Sequence, residues 1–405
     1  MADVRPFRGL RPRPELAESV LAPPYDVLSE AEAREIAAGN SHCFLHVTRP
    51  EVGLPEGVDS HSDPVYAMGR TQLVRLSEEG VLVQEDHPVF YLYSQKMGEH
   101  RQAGLMAVCS VREYDEGLIK KHEFTRPDKE QDRVDHILGS RAQTGLVMLT
   151  HRASEEIEVL QARALAATPL YRVCSADGVE HALTRIDDPA EISAWQAAFS
   201  ELGALYIADG HHRSAAASRV AAQLGEGPQD WFLAGIFPEN QLQVLAYNRV
   251  VESLGGRNPE EFLAAVEVAF AVEAGVGPMP EQRGDIHMYL QGKWHRLRLR
   301  TGLLDESDPV ARMDAAVLQD HLLAPLLEVS DPRRDTHIRF VGGIRGHEAL
   351  SGPVDRGEAA VAFCLFPTGI DQMISVADAG RVMPPKSTWF EPKLAGGIVV
   401  HSLEG

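Results

Sequence analysis

The chain has few cysteines, and none of them are paired in sequence. Cys43, Cys109, Cys174 and Cys364 are the only four among 405 residues, and no two form a C-x-x-C pair. Zinc ribbons and small disulfide frameworks need closely spaced cysteines, so the sequence indicates neither. Reduced thiols in a cytoplasmic protein are therefore the default interpretation.

Long apolar runs are also missing. No stretch approaches the roughly 20 apolar residues that a membrane helix requires, and residues 1–14 lack the apolar run of a signal peptide. We find no internal repeat and no low-complexity tract. These absences predict a cytoplasmic protein without a membrane partner, and they leave its oligomeric state open.

Basic residues are outnumbered. There are 39 Lys and Arg against 59 Asp and Glu, for a formal charge of −20. A nucleic-acid binder needs a clustered basic surface to neutralise phosphates, so we expect no nucleic-acid partner. Lys, Arg and His nevertheless concentrate at 120–133, 211–213 and 386–393, a distribution that still permits a site for a small anion.

Helix and strand patterns are mixed without strict alternation, which predicts an α+β fold. One hairpin is expected from strands at 88–95 and 103–114 around a turn at Gly98, and a helix with Pro127 in its first turn is expected after it. The length suggests two or three domains. We predict an N-terminal region at 1–87, a phosphate-binding core at 88–250 and a C-terminal α+β region at 251–405.

The strongest chemical signal is a turn between a strand and a helix. The apolar run 204–208 leads into Asp209-Gly210-His211-His212-Arg213, and an Ala-rich helix follows to about Leu224. Gly210 permits a sharp turn, and a helix N-terminus favours a phosphate. Arg213 can bind that phosphate in a bidentate manner, the histidines can donate hydrogen bonds or protons, and Asp209 can hold a metal or orient a histidine. In the alternative interpretation, Asp209 only caps the helix and the histidines lie on the surface.

Residues 206–213, Tyr-Ile-Ala-Asp-Gly-His-His-Arg, resemble the nucleotide- and phosphate-binding motif of the ParB/sulfiredoxin superfamily, especially its free serine kinase branch. Along nearly its full length the chain resembles the bacterial DUF1015 family. The stretches that carry this second resemblance are Ala22–Val27, His122–Thr125 with Lys129 and Asp132-Arg133, and Met383–Thr388. Together the resemblances imply a mixed-sheet, ParB/sulfiredoxin-like core with additional N-terminal and C-terminal α+β regions.

The kinase resemblance implies a small-molecule phosphotransferase that uses Mg²⁺ and moves phosphate from ATP, ADP or pyrophosphate to the hydroxyl of L-serine or a similar metabolite. In that family the turn binds the donor's phosphates and an upstream glutamate acts as the base. Glu123 is the glutamate we propose here, although the 86 positions between it and Asp209 would have to contain an insertion of about a helix pair. Such a transfer depends mainly on positioning and charge neutralisation.

The predicted site residues fall into three groups. They are Glu123, Asp209 and His212 as catalytic residues; Gly210, His211, Arg213, Ser214, Lys129, Arg133, Lys386, Ser387 and Thr388 as phosphate- or nucleotide-binding residues; and Tyr25, Asp26, His122 and Arg126 as substrate-binding residues. The metal ligands are left open.

Two other functions fit parts of the pattern. A metal-dependent hydrolase is suggested by His42 and His46 at i, i+4 and by the histidines near the turn, but no H-E-x-x-H motif is present. A non-catalytic nucleotide-binding switch of the ParB type would bind a nucleotide without turnover. A redox role like that of sulfiredoxin is disfavoured because no cysteine lies in the turn.

Overall fold

The computed structural model describes residues 2–55 and 57–404. Its contacts group the chain into two compact units. Unit 1 contains the chain up to Leu242 and again from Pro392 onward, and unit 2 is Gln243–Glu391. The predicted region 1–87 and most of the predicted region 88–250, up to Leu242, belong to unit 1. The predicted region 251–405 lies in unit 2 except for its end, which belongs to unit 1 from Pro392 onward.

The strands set the architecture. In chain order they are β1 (Val4–Arg5), β2 (Gly9–Pro12), β3 (Leu82–Gln84), β4 (Phe90–Met97), β5 (His100–Ser110), β6 (Ile119–Lys120), β7 (Ala142–Gln143), β8 (Val147–His151), β9 (Tyr171–Cys174), β10 (Glu180–Ile186), β11 (Leu205–Asp209), β12 (Trp231–Pro238), β13 (Gln243–Leu245), β14 (Tyr247–Val251), β15 (Phe270–Ala274), β16 (Ile286–Leu290), β17 (Lys293–Leu299), β18 (Ile338–Gly342), β19 (Val361–Leu365), β20 (Trp389–Glu391) and β21 (Val400–Ser402).

The structure also contains α-helices. In chain order they are α1 (Ala17–Val20), α2 (Glu30–Ala37), α3 (Leu45–Thr48), α4 (Asp63–Glu78), α5 (Val111–Asp115), α6 (Pro127–Ser140), α7 (Glu155–Ala166), α8 (Pro189–Ser200), α9 (His211–Leu224), α10 (Pro259–Ala269), α11 (Asp314–Leu318), α12 (Ala324–Leu327), α13 (Glu348–Asp355) and α14 (Ile370–Asp378). Within the described residues, none of these helices has the length and apolar character needed to cross a membrane.

A nine-stranded mixed sheet forms the centre of unit 1. Its order is β6-β11-β8-β12-β5-β4-β10-β9, with β1 added beside β5. β6 runs parallel to β11 and β12 runs parallel to β8, whereas the other pairs are antiparallel. The predicted α+β class with a mixed sheet is confirmed.

The last residues of the chain complete unit 1. β21 lies between β2 and β7 in a four-stranded sheet of order β3-β2-β21-β7. The segment before it is anchored by buried side chains, because the Tyr171 hydroxyl donates to the carbonyl of Ile398 at 3.2 Å. Chain positions from both ends of the sequence therefore share this small sheet.

Unit 2 is built on a six-stranded antiparallel sheet, in the order β15-β17-β16-β19-β14-β18. Phe262 of α10 packs with Phe270 and Phe363 in its apolar core, and all three rings are fully buried. Burying large aromatic side chains is the main stabilising contribution of such a core. A short two-stranded pair, β13 with β20, also lies within unit 2.

Several local predictions are confirmed. β4 and β5 form the expected hairpin around Gly98, and α6 begins at Pro127. The second strand ends at Ser110 rather than 114. The Ser110 side chain accepts from the backbone N–H of Glu113 and begins the short helix α5, because an N-cap residue of this kind satisfies an unpaired amide.

Candidate active site

The strand-turn-helix prediction is confirmed around Asp209. β11 ends there, Gly210 is the N-cap, and α9 begins at His211. The pairing of β11 with β8 shifts between Ile207 and Asp209, so Ala208 is the extra residue of a β-bulge. Bulges re-aim the side chains next to them, and this one sets the direction of Asp209 at the end of the strand.

Gly210 is required by the turn. Its φ is +100°, and a Cβ at this position would lie 3.1 Å from Nε of Arg213 and 3.3 Å from Cα of Val147. The left-handed conformation is unfavourable for residues with a Cβ. The chain can therefore approach the Arg213 side chain closely only with glycine here.

We expect Gly210→Ala to lower the free energy of unfolding by about 1 to 2 kcal/mol, because it adds a Cβ at positive φ. Urea unfolding followed by circular dichroism measures this difference. Gly203→Ala is the matched control, since Gly203 precedes the same strand, has no positive φ and would meet no atom within 4 Å. Equal stabilities of the two variants would contradict the assigned conformation.

Asp209 lies between two cations. Its Oδ2 is 2.9 Å from Nζ of Lys393, and its Oδ1 is 3.6 Å from Nη2 of Arg213. Burial alone would raise the pKa of Asp209, but the nearby Lys393 and Arg213 charges bring that pKa well below its usual range. The carboxylate is therefore ionised at neutral pH.

Arg213 connects the turn to the predicted substrate residues. Its Nη2 is 3.7 Å from Oδ2 of Asp26, and its Nη1 donates to the carbonyl of Leu146. Arg133, which pairs with Asp132 at 2.5 Å, lies with its guanidinium carbon 4.3 Å from the centre of the Tyr25 ring. The structure thus brings Tyr25, Asp26, Arg133 and Arg213 together, and their substrate- and phosphate-binding roles stay predictions.

A narrow cleft of about 20 Å³ lies among these side chains. Tyr25, Arg133, Gly145 and Arg213 are among the residues that line it. A volume of this size holds about one water-sized group. A phosphoryl group would enter only if the paired side chains moved apart.

The two histidines of the turn accept hydrogen bonds, whereas the sequence suggested that they donate them. Nε2 of His211 accepts from the backbone N–H of His122 at 3.5 Å, a long contact, and Nε2 of His212 accepts from that of Arg126 at 3.0 Å. Burial lowers the pKa of both imidazoles. Only a neutral imidazole can accept in this way, so both histidines anchor the segment 122–126 while they are uncharged.

Glu123 is part of that anchored segment. Its Oε2 is 3.8 Å from Nδ1 of His211, and its side chain is 45 % exposed. β6 pairs in parallel with β11 and brings Ile119 and Lys120 beside Leu205 and Tyr206. The long separation in sequence is thus closed by one short strand pair, and three helices, α6, α7 and α8, lie in the intervening chain.

His122, Glu123 and His211 form a cluster that could hold a metal ion. Their ligand atoms lie within 4.8 Å of one another, and the two imidazole rings are perpendicular with centres 4.4 Å apart. Within the described part of the chain, neither ring nitrogen of His122 has a hydrogen-bond partner, although the carbonyl of Ile207 lies near the ring. Burial lowers the pKa of His122 to about 4.

The hydrogen bond that His211 accepts through Nε2 affects which metal ion the cluster could bind. An imidazole that accepts through Nε2 carries its proton on Nδ1, so this proton points toward Glu123. Coordination through Nδ1 would require the other tautomer. Imidazoles also suit transition metals, whereas Mg²⁺ prefers oxygen ligands, and the carboxylates beside Arg213 are Asp209 and Asp26.

Other predicted residues are placed differently. Ser214 is fully buried, and its hydroxyl donates to the carbonyl of His211 at 3.1 Å. Lys129 is exposed on α6, and the Arg126 guanidinium pairs with Asp128 at 2.8 Å. Of these two residues, Arg126 contacts the turn through its backbone N–H, which donates to Nε2 of His212 at 3.0 Å.

Lys386, Ser387 and Thr388 belong to unit 2. Within it, the Ser387 hydroxyl donates to the carbonyl of Pro384 at 2.6 Å, and Nζ of Lys386 lies 5.4 Å from the centre of the Tyr247 ring. Thr388 is half-buried beside them. Their phosphate-binding role stays a prediction.

His42 and His46 have structural partners. Nδ1 of His42 lies 3.3 Å from the Ser19 hydroxyl, and Nε2 of His46 lies 3.1 Å from the carbonyl of Asn40. Among the described residues, the metal-competent cluster does not include either of them.

Lys393 is the main site residue that the sequence did not single out. Gln95 donates to its carbonyl at 2.8 Å, and Gln102 donates to the side chain of Gln95 at 2.8 Å. Both glutamine side chains are buried, so they fix the backbone from which Lys393 reaches Asp209. The only signal in the sequence was the cationic character of 386–393.

Comparison with known proteins finds one matching family model. A family model described as "Protein of unknown function (DUF1015)" matches residues 4–316. No curated protein matches the chain.

Several solved structures are weakly similar to this chain, including the following three. SbnI with a C-terminal truncation, from Staphylococcus aureus, is 12 % identical, with 72 % of this chain and 85 % of that chain covered and a TM-score of 0.40. A free serine kinase in complex with AMP is 14 % identical, with coverages of 70 % and 86 % and a TM-score of 0.35. A conserved hypothetical protein from Pyrococcus furiosus is 13 % identical, with coverages of 70 % and 90 % and a TM-score of 0.33.

Proposed function

The chain belongs to the DUF1015 family, and from this starting point we propose that unit 1 is a phosphotransferase. It transfers a phosphoryl group from ATP, ADP or pyrophosphate to the hydroxyl of L-serine or a similar small metabolite. The resemblance of residues 206–213 to the free serine kinase motif suggests this reaction class. The contacts around that motif are what support it.

One observation carries the proposal. A single turn places the ionised Asp209 against Lys393 and Arg213, and its first helical residue, His211, faces the carboxylate of Glu123. Phosphoryl transfer needs cations around the phosphates and a base beside the attacking hydroxyl. Lys393 and Arg213 are the cations beside the turn, and Glu123 is the base.

Glu123 has the role of general base. In the transfer, the acceptor oxygen forms a bond to the phosphorus, the bond from phosphorus to the donor's bridging oxygen breaks, and the hydroxyl proton passes to the Glu123 carboxylate. Lys393 and Arg213 stabilise the negative charge on the phosphoryl oxygens and on the leaving group. The partial exposure of Glu123 leaves it accessible to an acceptor.

His211 and His212 have positioning roles in this scheme. Both accept hydrogen bonds from backbone N–H groups in the segment 122–126, and they therefore fix the position of Glu123 relative to the turn. His211 also presents its Nδ1 proton toward the carboxylate. A base must lie within hydrogen-bond reach of the proton it takes, and a segment anchored at two points meets that requirement better than a loose loop.

Mg²⁺ fits the oxygen ligands rather than the histidine cluster. Asp209 and Asp26 are each within 3.7 Å of the same Arg213 nitrogen, so two carboxylates lie close to one guanidinium group. Mg²⁺ is typically held by one or two carboxylates together with substrate phosphates. Asp209 and Asp26 would hold the ion, which would supply further charge neutralisation to the donor.

A metal-dependent hydrolase is the second candidate, and one observation favours it. His122, Glu123 and His211 place two imidazoles and a carboxylate within 4.8 Å, a ligand set typical of catalytic zinc sites. In that case Glu123 would be a metal ligand and not a base.

A screen of donors against acceptors tests the proposal. Purified full-length protein with Mg²⁺ is incubated with ATP, ADP or pyrophosphate and with L-serine or related hydroxyl compounds, and phosphorylated products are measured by mass spectrometry. We expect phosphoserine or a related phosphomonoester. No product from any pair, with no shift of the melting temperature by any donor, would overturn the proposal.

The same preparation separates the alternatives. Donor binding without product in every pair would favour a nucleotide-binding switch. Stoichiometric zinc by elemental analysis, lost in a His211→Ala variant, would favour the hydrolase.

A further inference from the structure

Unit 2 contains a buried arginine for which the described residues provide no acidic partner. Arg249 lies in β14 and is 3 % exposed. Its Nη2 donates to the carbonyl of Pro385 at 3.3 Å, and its Nη1 donates to that of Tyr247. Across the described residues, no carboxylate comes within ion-pair distance of its guanidinium.

A charge in this position is costly. Buried ionised groups are normally paired with an opposite charge, and burial lowers the pKa of Arg249 to about 10. The guanidinium has five N–H donors, of which two make the hydrogen bonds named above. The guanidinium carbon lies 5.0 Å from the centre of the Phe340 ring.

A second cation, Lys386, lies in the loop that accepts a hydrogen bond from Arg249. Lys386 follows Pro385 directly in the chain, and its Nζ is 5.4 Å from the centre of the ring of Tyr247, two residues before Arg249. Arg249 of β14 thus contacts the loop at Pro385, and Lys386 of that loop contacts β14 at Tyr247. Lys386 is exposed, so its ammonium group is accessible from solvent.

The loop that carries Lys386 is held by side-chain hydrogen bonds and has an unusual backbone conformation at that residue. Lys386 has a φ of +57°, in the left-handed region that residues with a Cβ seldom adopt. Ser387 holds the loop by donating to Pro384, and the Thr368 hydroxyl donates to the carbonyl of Ser387 at 2.8 Å. Such strained residues persist only where their surroundings fix them, and they cluster at ligand sites.

We propose that Arg249 and Lys386 form a phosphate-binding site within unit 2. The buried guanidinium fixes the orientation of the anion, and the exposed lysine attracts it. Two positive charges match a phosphate dianion better than a singly charged carboxylate. The sequence prediction for Lys386 rested on neighbouring hydroxyls, but the Ser387 hydroxyl is occupied and the structure offers Arg249 in its place.

Hydrogen-deuterium exchange with mass spectrometry tests the site locally. Full-length protein is exchanged with and without inorganic phosphate at constant ionic strength. We expect slower exchange in peptides that cover 245–251 and 383–389. In Lys386→Asn, at least tenfold more phosphate should be needed for the same protection. Asparagine tolerates the left-handed backbone but has no charge. Lys386→Arg should retain the protection.

Two further variants make the result specific. Lys293→Asn is the matched control, since Lys293 is an exposed lysine at the start of β17 in the same unit, and it should behave as wild type. Arg213→Gln, which removes the proposed cation of unit 1, should leave the protection in unit 2 intact. The site is thereby tested independently of the phosphotransferase.

Two results would overturn the proposal. One is protection that appears only around 209–214 and not at 245–251 or 383–389. The other is equal protection in Lys386→Asn and wild type. In that case Arg249 would only stabilise the loop through its hydrogen bond to Pro385.

Discussion

Glu123→Gln is expected to lower the rate of phosphoryl transfer by about 10² to 10⁴-fold, the range associated with loss of a general base. The amide keeps the shape of the side chain but cannot take the proton from the acceptor hydroxyl. Binding of pyrophosphate should remain within about twofold of wild type, because Lys393 and Arg213 are untouched. Initial rates of product formation and isothermal titration calorimetry measure the two quantities.

A matched control accompanies this variant. Glu116 is an exposed glutamate just after α5, and its carboxylate lies 3.9 Å from Nε of Arg112. Glu116→Gln should retain wild-type transfer. If Glu123→Gln were fully active, another residue would have to act as the base. If it instead lost bound zinc together with activity, the cluster with His122 and His211 would be a metal site.

Asp209→Asn is expected to reduce transfer by about 10² to 10³-fold, an effect comparable to the loss of one preorganised electrostatic group. The substitution leaves Lys393 and Arg213 without the carboxylate that orients them, and it removes a proposed Mg²⁺ ligand. Steady-state kinetics with varied donor concentration separates an effect on kcat from one on KM. Urea unfolding shows whether the variant still folds.

A double-mutant cycle tests whether Asp209 and Lys393 act as one unit. Residues in direct contact are expected to be non-additive. Lys393→Met combined with Asp209→Asn should therefore lose little more activity than the worse single variant. Lys96→Met, in β4 of the same unit, is a control for loss of one lysine. Strictly additive losses would show that the 2.9 Å ion pair is not a functional contact.

The parts of the site that sequence reasoning found are local or carried by the family resemblance. The strand, glycine and helix of the turn are adjacent in the chain, so their pattern is visible directly. Tyr25, Asp26 and Arg133 came from the motifs that resemble the family, and the structure places them around Arg213.

The other parts depend on contacts between distant residues. Lys393 is 184 positions from Asp209, and its place is set by Gln95 and Gln102, whose buried amides have no distinctive pattern in the sequence. The direction of the hydrogen bonds of His211 and His212 depends on the backbone of 122–126. Arg249 was missed for a similar reason, because a single arginine in a strand signals nothing until its lack of an acidic partner is known.

The return of the chain from unit 2 to unit 1 has a consequence for synthesis on the ribosome. Asp209 and Arg213 are made before the residues of unit 2, Gln243–Glu391, and Lys393 only after them. Lys393 follows Asp209 by 184 positions, so at about 5 to 20 residues per second the nascent Asp209 waits about 9 to 37 s for its lysine. A product that stops before Pro392 has the whole Asp-Gly-His-His-Arg turn and still lacks this ion pair, so premature termination would leave a chain without a complete candidate site.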